Sequence, residues 1–160
     1  MPLIDLHARN PLEDGRQSAR ALRIRRGVQA LLSELGASHL PELTLASGRR
    51  ADIIALNRDG SIWIVEIKSS IEDMRADGKW PDYREYCDRL FFATLEDVPA
   101  EIFPADCGFI RADAHGAALL REAPEHRLAP ARRKAVTLRI AQSAAHRLYA
   151  AELAGVDLPE

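Results

Sequence analysis

Asp52 is followed, after thirteen intervening residues, by Glu66-Ile67-Lys68. Two carboxylates on paired strands stand about 4.5–5.5 Å apart at the backbone, close enough to share a hard divalent cation such as Mg²⁺. The Ile67 carbonyl lies between the functional side chains and could be a third oxygen ligand. Lys68, two residues beyond Glu66 and so on the same strand face, could position or help deprotonate an attacking water. Mg²⁺ keeps several waters, which leaves coordination sites for a phosphate oxygen, so the set is suited to hydrolysing a phosphodiester. Of the 22 basic residues only Lys68, Lys79 and Lys134 are lysines. The compact, pKa-adaptable cation therefore stands beside the acidic pair in a chain that otherwise uses arginine. The competing reading is a cross-strand square of ion pairs, Arg50 with Glu66 and Asp52 with Lys68, which needs no ligand.

The turn that joins the two strands decides whether these groups can meet. Asn57-Arg58-Asp59-Gly60-Ser61 suits a type I turn with a glycine bulge, a three-residue hairpin loop. Residues 57 and 61 then face each other, Asp52 lies opposite Glu66, and Arg50 lies opposite Lys68, all four on one face. A two-residue Asp59-Gly60 turn would instead send Asp52 and Glu66 to opposite faces. Hydrophobicity does not choose between them, because Ile54, Leu56, Ile62 and Ile64 line one face and Ala51, Ile53, Ala55, Trp63, Val65 and Ile67 the other. Asn57 and the chemistry favour the three-residue loop.

Around this hairpin, apolar residues at helical spacing predict a helix over 17–35, ended by Gly36. Strands are predicted at 43–46, 51–57, 62–68, 91–95 and 108–112, with a hairpin arm at 117–121. A short helix is predicted at 82–89 with Asp82 as its N-cap, and a long one from Pro130 to about 154, closed by Gly155. The order describes a mixed α/β layer protein with an antiparallel start.

The 160 residues, 47% hydrophobic and 29% charged, fit one soluble domain over 1–160, with 1–15 a loosely ordered N-terminal arm. Cys87 and Cys107 lack CxxC spacing, which disfavours structural zinc and suggests a reducing compartment. No apolar run approaches the roughly 18–20 residues needed to span a bilayer, and no signal peptide opens the chain, so no membrane partner and a cytoplasmic location are expected. The absence of GxxxxGK[ST], GxGxxG and GxSxG removes support for ATP use, a Rossmann cofactor and an α/β-hydrolase site. A net charge of −2 hides an uneven distribution. Residues 9–26 and 127–147 are arginine-rich, and Arg132, Arg139 and His146 recur every seven residues on one helix face. Two basic edges beside an acidic middle suit a groove that tracks phosphates. Solvated helix faces would read the same way.

The Asp…Glu-Ile-Lys pattern on a hairpin after a first helix resembles the PD-(D/E)xK nuclease superfamily. More narrowly, the segments Leu45-Ala46-Ser47-Gly48-Arg49-Arg50-Ala51-Asp52-Ile53-Ile54, Ile64-Val65-Glu66-Ile67-Lys68-Ser69-Ser70 and Lys79-Trp80-Pro81-Asp82-Tyr83, with Tyr86-Cys87-Asp88, together resemble the MmcB-type DNA repair family. The likeness spans about 18–150. It implies a restriction-endonuclease-like αβββαβ core with a mixed central sheet flanked by helices and Mg²⁺- or Mn²⁺-dependent cleavage of DNA in repair, and members of the superfamily often form homodimers. Asp52 and Glu66 would be metal ligands and Lys68 the catalytic lysine. Ala51 departs from the superfamily pattern, which has proline there. Glu34 and Glu42 are candidates for the accessory acid some members carry. Arg50, Ser69, Lys79, Tyr83, Arg132 and Arg139 are candidates for nucleic-acid contact, with Trp80, Tyr83 and Tyr86 able to stack on an unpaired base. The alternative is a nucleic-acid- or protein-binding module on the same fold that does not cut.

Overall fold

The computed structural model describes residues 18–113 and 115–159. The N-terminal arm expected over 1–15 lies outside the described residues. Helix α1 (Ala19–Glu34) begins at Ser18, whose hydroxyl accepts the Ala21 N–H at 3.1 Å. It stops where Gly36 takes φ +75°, the left-handed conformation that closes helices. Midway along α1, a Cβ on Gly27 would lie 2.3 Å from the Asp113 carbonyl oxygen, so the helix backbone rests directly on the chain leaving the fifth strand.

Strand β1 (Ser38–Thr44) pairs antiparallel with β2 (Arg50–Leu56), which pairs antiparallel with β3 (Ile62–Ile67). The strand expected at 43–46 therefore starts five residues earlier, at Ser38. Among the described residues it is an edge strand, bonded on one side only, where Pro41 and the polar His39 and Glu42 are tolerated. Those residues erase the period-two signal. The β2–β3 register aligns Ile53 with Val65, Ile54 with Ile64, Ala55 with Trp63 and Leu56 with Ile62. Its loop closes through Asn57 N–H to Ser61 O at 2.9 Å and Gly60 N–H to Asn57 O at 3.0 Å, with Gly60 at φ +85°. This is the three-residue turn. The next pair in this register is Asp52 and Glu66.

After β3 the chain forms α2 (Ile71–Ala76), which the sequence reading left unassigned. Ser70 caps it by accepting the Asp73 N–H, and Asp73 returns a bond to the Ser69 N–H, a variant of the capping box. The helix expected at 82–89 is instead a 3₁₀ segment, Trp80–Tyr86, and Asp82 binds Arg49 at 2.9 Å rather than capping it. Trp80, Tyr83 and Tyr86 are spaced by three, so they eclipse on one face of a 3₁₀ turn and pack together against the sheet. Trp80 stands edge-on to Phe92 with ring centroids 5.5 Å apart.

Strand β4 (Arg89–Thr94) runs parallel to β3, β5 (Gly108–Ala112) runs parallel to β4, and β6 (Ala117–Arg121) returns antiparallel. A short 3₁₀ turn, Ala100–Ile102, lies between β4 and β5. The strands form one six-stranded mixed sheet in the order β1-β2-β3-β4-β5-β6. Helix α3 (Pro130–Leu153) follows the sheet. Ile24, Val28 and Leu32 of α1 pack on Ile53, Val65, Phe91 and Ile110. Val136 and Ile140 of α3 belong to the opposite layer with Ile54, Ile64, Phe92 and Phe109. The result is a mixed α/β fold, its sheet flanked by helices.

Candidate active site

At the open end of the β2–β3 hairpin the charged residues leave the core. The Asp52 N–H donates to Glu66 Oε1 at 3.2 Å, and the Ile67 N–H donates to Asp52 Oδ2 at 2.7 Å. The two carboxylates are thus held against each other by the strand pairing itself. Glu66 is 3% exposed and Asp52 half-buried. Burial raises the Asp52 carboxyl above its ordinary range, partly offset by hydrogen bonds from its neighbours and by Lys68. Burial, followed by the charge of Asp52, holds Glu66 well above the usual carboxylate range.

Lys68 is also buried, and its ammonium donates to Asp77 Oδ2 at 2.6 Å. Burial alone would favour the neutral amine, but Asp77, Asp73 and Glu66 outweigh it and the Lys68 pKa is raised. The ion-pair square does not form: Lys68 pairs with Asp77, and Arg50 reaches Glu42 at 3.7 Å. Asp77 is the residue the sequence reading missed. It follows α2 directly, so its place opposite Lys68 was invisible while α2 was unassigned.

These groups line one open hollow of about 480 Å³ with Ser18, Ala21, Glu42, Arg50, Ser69, Asp73 and Tyr83. Glu42 reaches it through a left-handed backbone, φ +51°, at the edge strand, where Arg147 donates to its carbonyl at 2.8 Å. Glu34 is exposed near the other end of α1, about 20 Å along the helix from Ala21, and is not among the lining residues. Tyr83 is buried, with its hydroxyl donating to the Arg50 carbonyl at 2.9 Å. Ser69 bonds Asp73, and Lys79 is exposed with its backbone N–H on Asp77. Arg132 and Arg139 line a neighbouring hollow with Leu45, Ala46 and Tyr86. The Arg132 guanidinium covers the Tyr86 ring at 4.7 Å, and Arg139 donates to the Thr44 carbonyl at 3.3 Å. Thr44 pairs with Arg50, so a basic path runs from α3 across the β1–β2 hairpin to the lip of the hollow.

Among the described residues no three His, Cys, Asp or Glu side chains form a metal cage of their own. A cation here would rest on two carboxylates, a backbone oxygen and water, a hard all-oxygen set of the kind Mg²⁺ accepts. The donors fit: the buried Glu66 carboxylate and the half-buried Asp52 carboxylate repel each other, and a cation between them removes that cost.

No helix among the described residues is long and apolar enough to cross a membrane. A search of curated proteins finds no match. Among solved structures the chain is similar to the SPO1766 protein of unknown function from Silicibacter pomeroyi. That likeness has 43% sequence identity and a TM-score of 0.80, and it covers 85% of this chain and 93% of the other. The family model described as DNA repair protein MmcB-like matches residues 8–155, which takes in α1, the carboxylate hairpin, the 3₁₀ segment and all of α3. With nearly its whole length matched, the chain belongs to the MmcB-like family of DNA repair proteins.

Proposed function

We propose that this protein is a nuclease of the PD-(D/E)xK type that acts in DNA repair, hydrolysing DNA phosphodiesters with Mg²⁺ or Mn²⁺. One observation carries the reading: Asp52 and Glu66 are clasped across a strand pair in a hollow that also holds an ion-paired lysine. The element order α1-β1-β2-β3-α2-β4 matches the αβββαβ order that the resemblance implies, and supports the reading. Asp52 and Glu66 would hold the cation, with the Ile67 carbonyl as a further oxygen. When bound, the ion supplies positive charge and Lewis acidity at the scissile phosphate. Lys68, paired to Asp77 and therefore protonated, orients the attacking water and offsets charge developing on the phosphate. Arg50 at the lip, with Arg132 and Arg139 behind it, meets the flanking phosphates.

A second reading, a DNA-binding module on this fold that does not cut, is favoured by the 2.6 Å bond that commits the Lys68 ammonium to Asp77. Cleavage of plasmid and branched DNA with Mg²⁺ or Mn²⁺ separates the two. The wild type should cut, and Asp52→Ala should lower the rate about 10²–10³-fold. Undiminished cutting by the variant removes Asp52 from the mechanism, and a wild type that binds DNA but cuts with neither metal selects the second reading. Without any substrate, Mg²⁺ should raise the melting temperature of the wild type and leave Glu66→Gln unmoved.

Binding has its own readout. Neutralising Arg132 and Arg139 together should weaken DNA affinity and flatten its salt dependence by about 0.9 log units per lost phosphate contact. An unchanged slope would place α3 away from the DNA.

A further inference from the structure

Helix α3 buries Val136 and Ile140 against the sheet, which fixes its inward side. On its outward side Leu138, Leu148 and Tyr149 are 51%, 55% and 58% exposed. Single exposed leucines are ordinary, but these belong to a pattern. Lys134, Leu138, Ala141, Ala145, Leu148 and Glu152 recur at alternating intervals of four and three, the seam of a helix pair. At 3.6 residues per turn this stripe lies about 120° around the helix from Ile140, clear of the edge that carries Arg139 and His146.

The stripe is also symmetric about Ser143. Ala141 and Ala145 lie two residues either side of it, Leu138 and Leu148 five, and Lys134 and Glu152 nine. Laid antiparallel on a copy of itself, α3 therefore sets Ala141 against Ala145, Leu138 against Leu148, and Lys134 against Glu152. The central alanines let the axes approach toward the lower end of the usual 8–10 Å, the leucines bury apolar surface, and an opposite-charge pair closes each end. Tyr149 falls opposite Thr137, which lines an open hollow of about 700 Å³ with Leu128, Pro130 and Leu138. A parallel pairing would set Lys134 on Lys134 and Glu152 on Glu152. Glu152 is the one acid in a helix that also holds Arg132, Arg133, Lys134, Arg139 and Arg147. Its position is the one that answers Lys134 of a second copy.

We propose that this face of α3 docks a second copy of the chain, antiparallel about a two-fold axis at Ser143, in an isologous interface. The pairing stands apart from the metal chemistry and is tested without it. Sedimentation velocity and light scattering over a concentration series should give a species of twice 17.8 kDa at the higher concentrations. Lys134→Glu and Glu152→Lys each set like charges at both ends of the seam, and each should raise the dissociation constant about tenfold or more. Mixing the two variants should restore the dimer, because every end of the mixed species again joins opposite charges. All the substituted side chains are exposed, and an unchanged circular dichroism melt of the monomer checks folding. A wild type that stays at 17.8 kDa throughout overturns the proposal. Dimers indifferent to both single variants, or weakened variants that mixing fails to rescue, overturn it equally.

Discussion

Lys68→Ala is expected to lower DNA cleavage by about 10²–10³-fold, the range for a preorganised donor that offsets charge developing in the transition state. It should leave Mg²⁺ binding, read as a shift in melting temperature, largely in place, because the carboxylates rather than the amine hold the ion. Lys68→Arg should also lose most activity. It keeps a cation near Asp77, but a planar guanidinium reproduces neither the size nor the hydrogen-bond directions of the ammonium. The structure supplies a control. Lys68 binds Asp77 at 2.6 Å, so Asp77→Asn leaves the amine in place while loosening its hold. If Lys68 serves catalysis, Asp77→Asn should lower the turnover rate while leaving DNA affinity near that of the wild type. A fully active Lys68→Arg protein would show that the ion pair with Asp77 is structural and nothing more.

The largest effect on stability is expected at Asp88, far from the hollow, at the opening of β4. Asp88 is 1% exposed. Its two oxygens accept Arg133 Nη1 and Nη2 at 2.7 Å each, the Ile62 N–H at 2.7 Å and the Leu128 N–H at 2.9 Å. One carboxylate thus ties the start of β3, the segment before α3 and the first turn of α3 to a single point. Asp88→Ala leaves a guanidinium and two amides without their partner. It should cost about 3–5 kcal/mol in urea denaturation. A cost under about 1 kcal/mol would mean that water replaces the lost bonds.

The same carboxylate sets a pH dependence. Burial pushes its pKa up, but Arg133 and the two amides outweigh burial and hold it below the ordinary range. A group depressed on folding contributes its full stability above its unfolded value, about 3.9, and loses it as pH falls through the folded value. The stability gap between wild type and Asp88→Asn should therefore be constant near neutrality and close below about pH 4. A gap that does not change with pH would assign the stabilisation to the shape of the side chain rather than to its charge.

Where a feature was set by residues close in the chain, it was legible before the fold was known. Asn57, together with the chemistry of the acidic pair, favours the three-residue loop over a two-residue Asp59-Gly60 turn, and a hairpin loop imposes its register on the strands it joins. Asp52 was accordingly placed opposite Glu66 with no knowledge of the rest of the sheet. Gly36, Pro130 and Gly155 marked helix ends for the same local reason, since the conformations they permit need no distant partner. The family, too, could be read from three short segments in order.

Features that depend on distant contacts were settled only by tertiary packing. Strand β1 exists because β2 offers it a row of hydrogen-bond partners, although Pro41 and Glu42 argue against a strand locally. Trp80, Tyr83 and Tyr86 form a 3₁₀ face rather than an α-helix, packed against the sheet. Above all, the partner of Lys68 could not be read from spacing. Strand geometry offered Asp52 along the diagonal, but a buried ammonium must find the carboxylate that gives it the best compensation for lost water. The turn after α2 brings Asp77 within 2.6 Å, while Asp52 is already engaged by the Ile67 amide. Local chain chemistry therefore brought the two acids together, and the cost of burying charge decided where the lysine points.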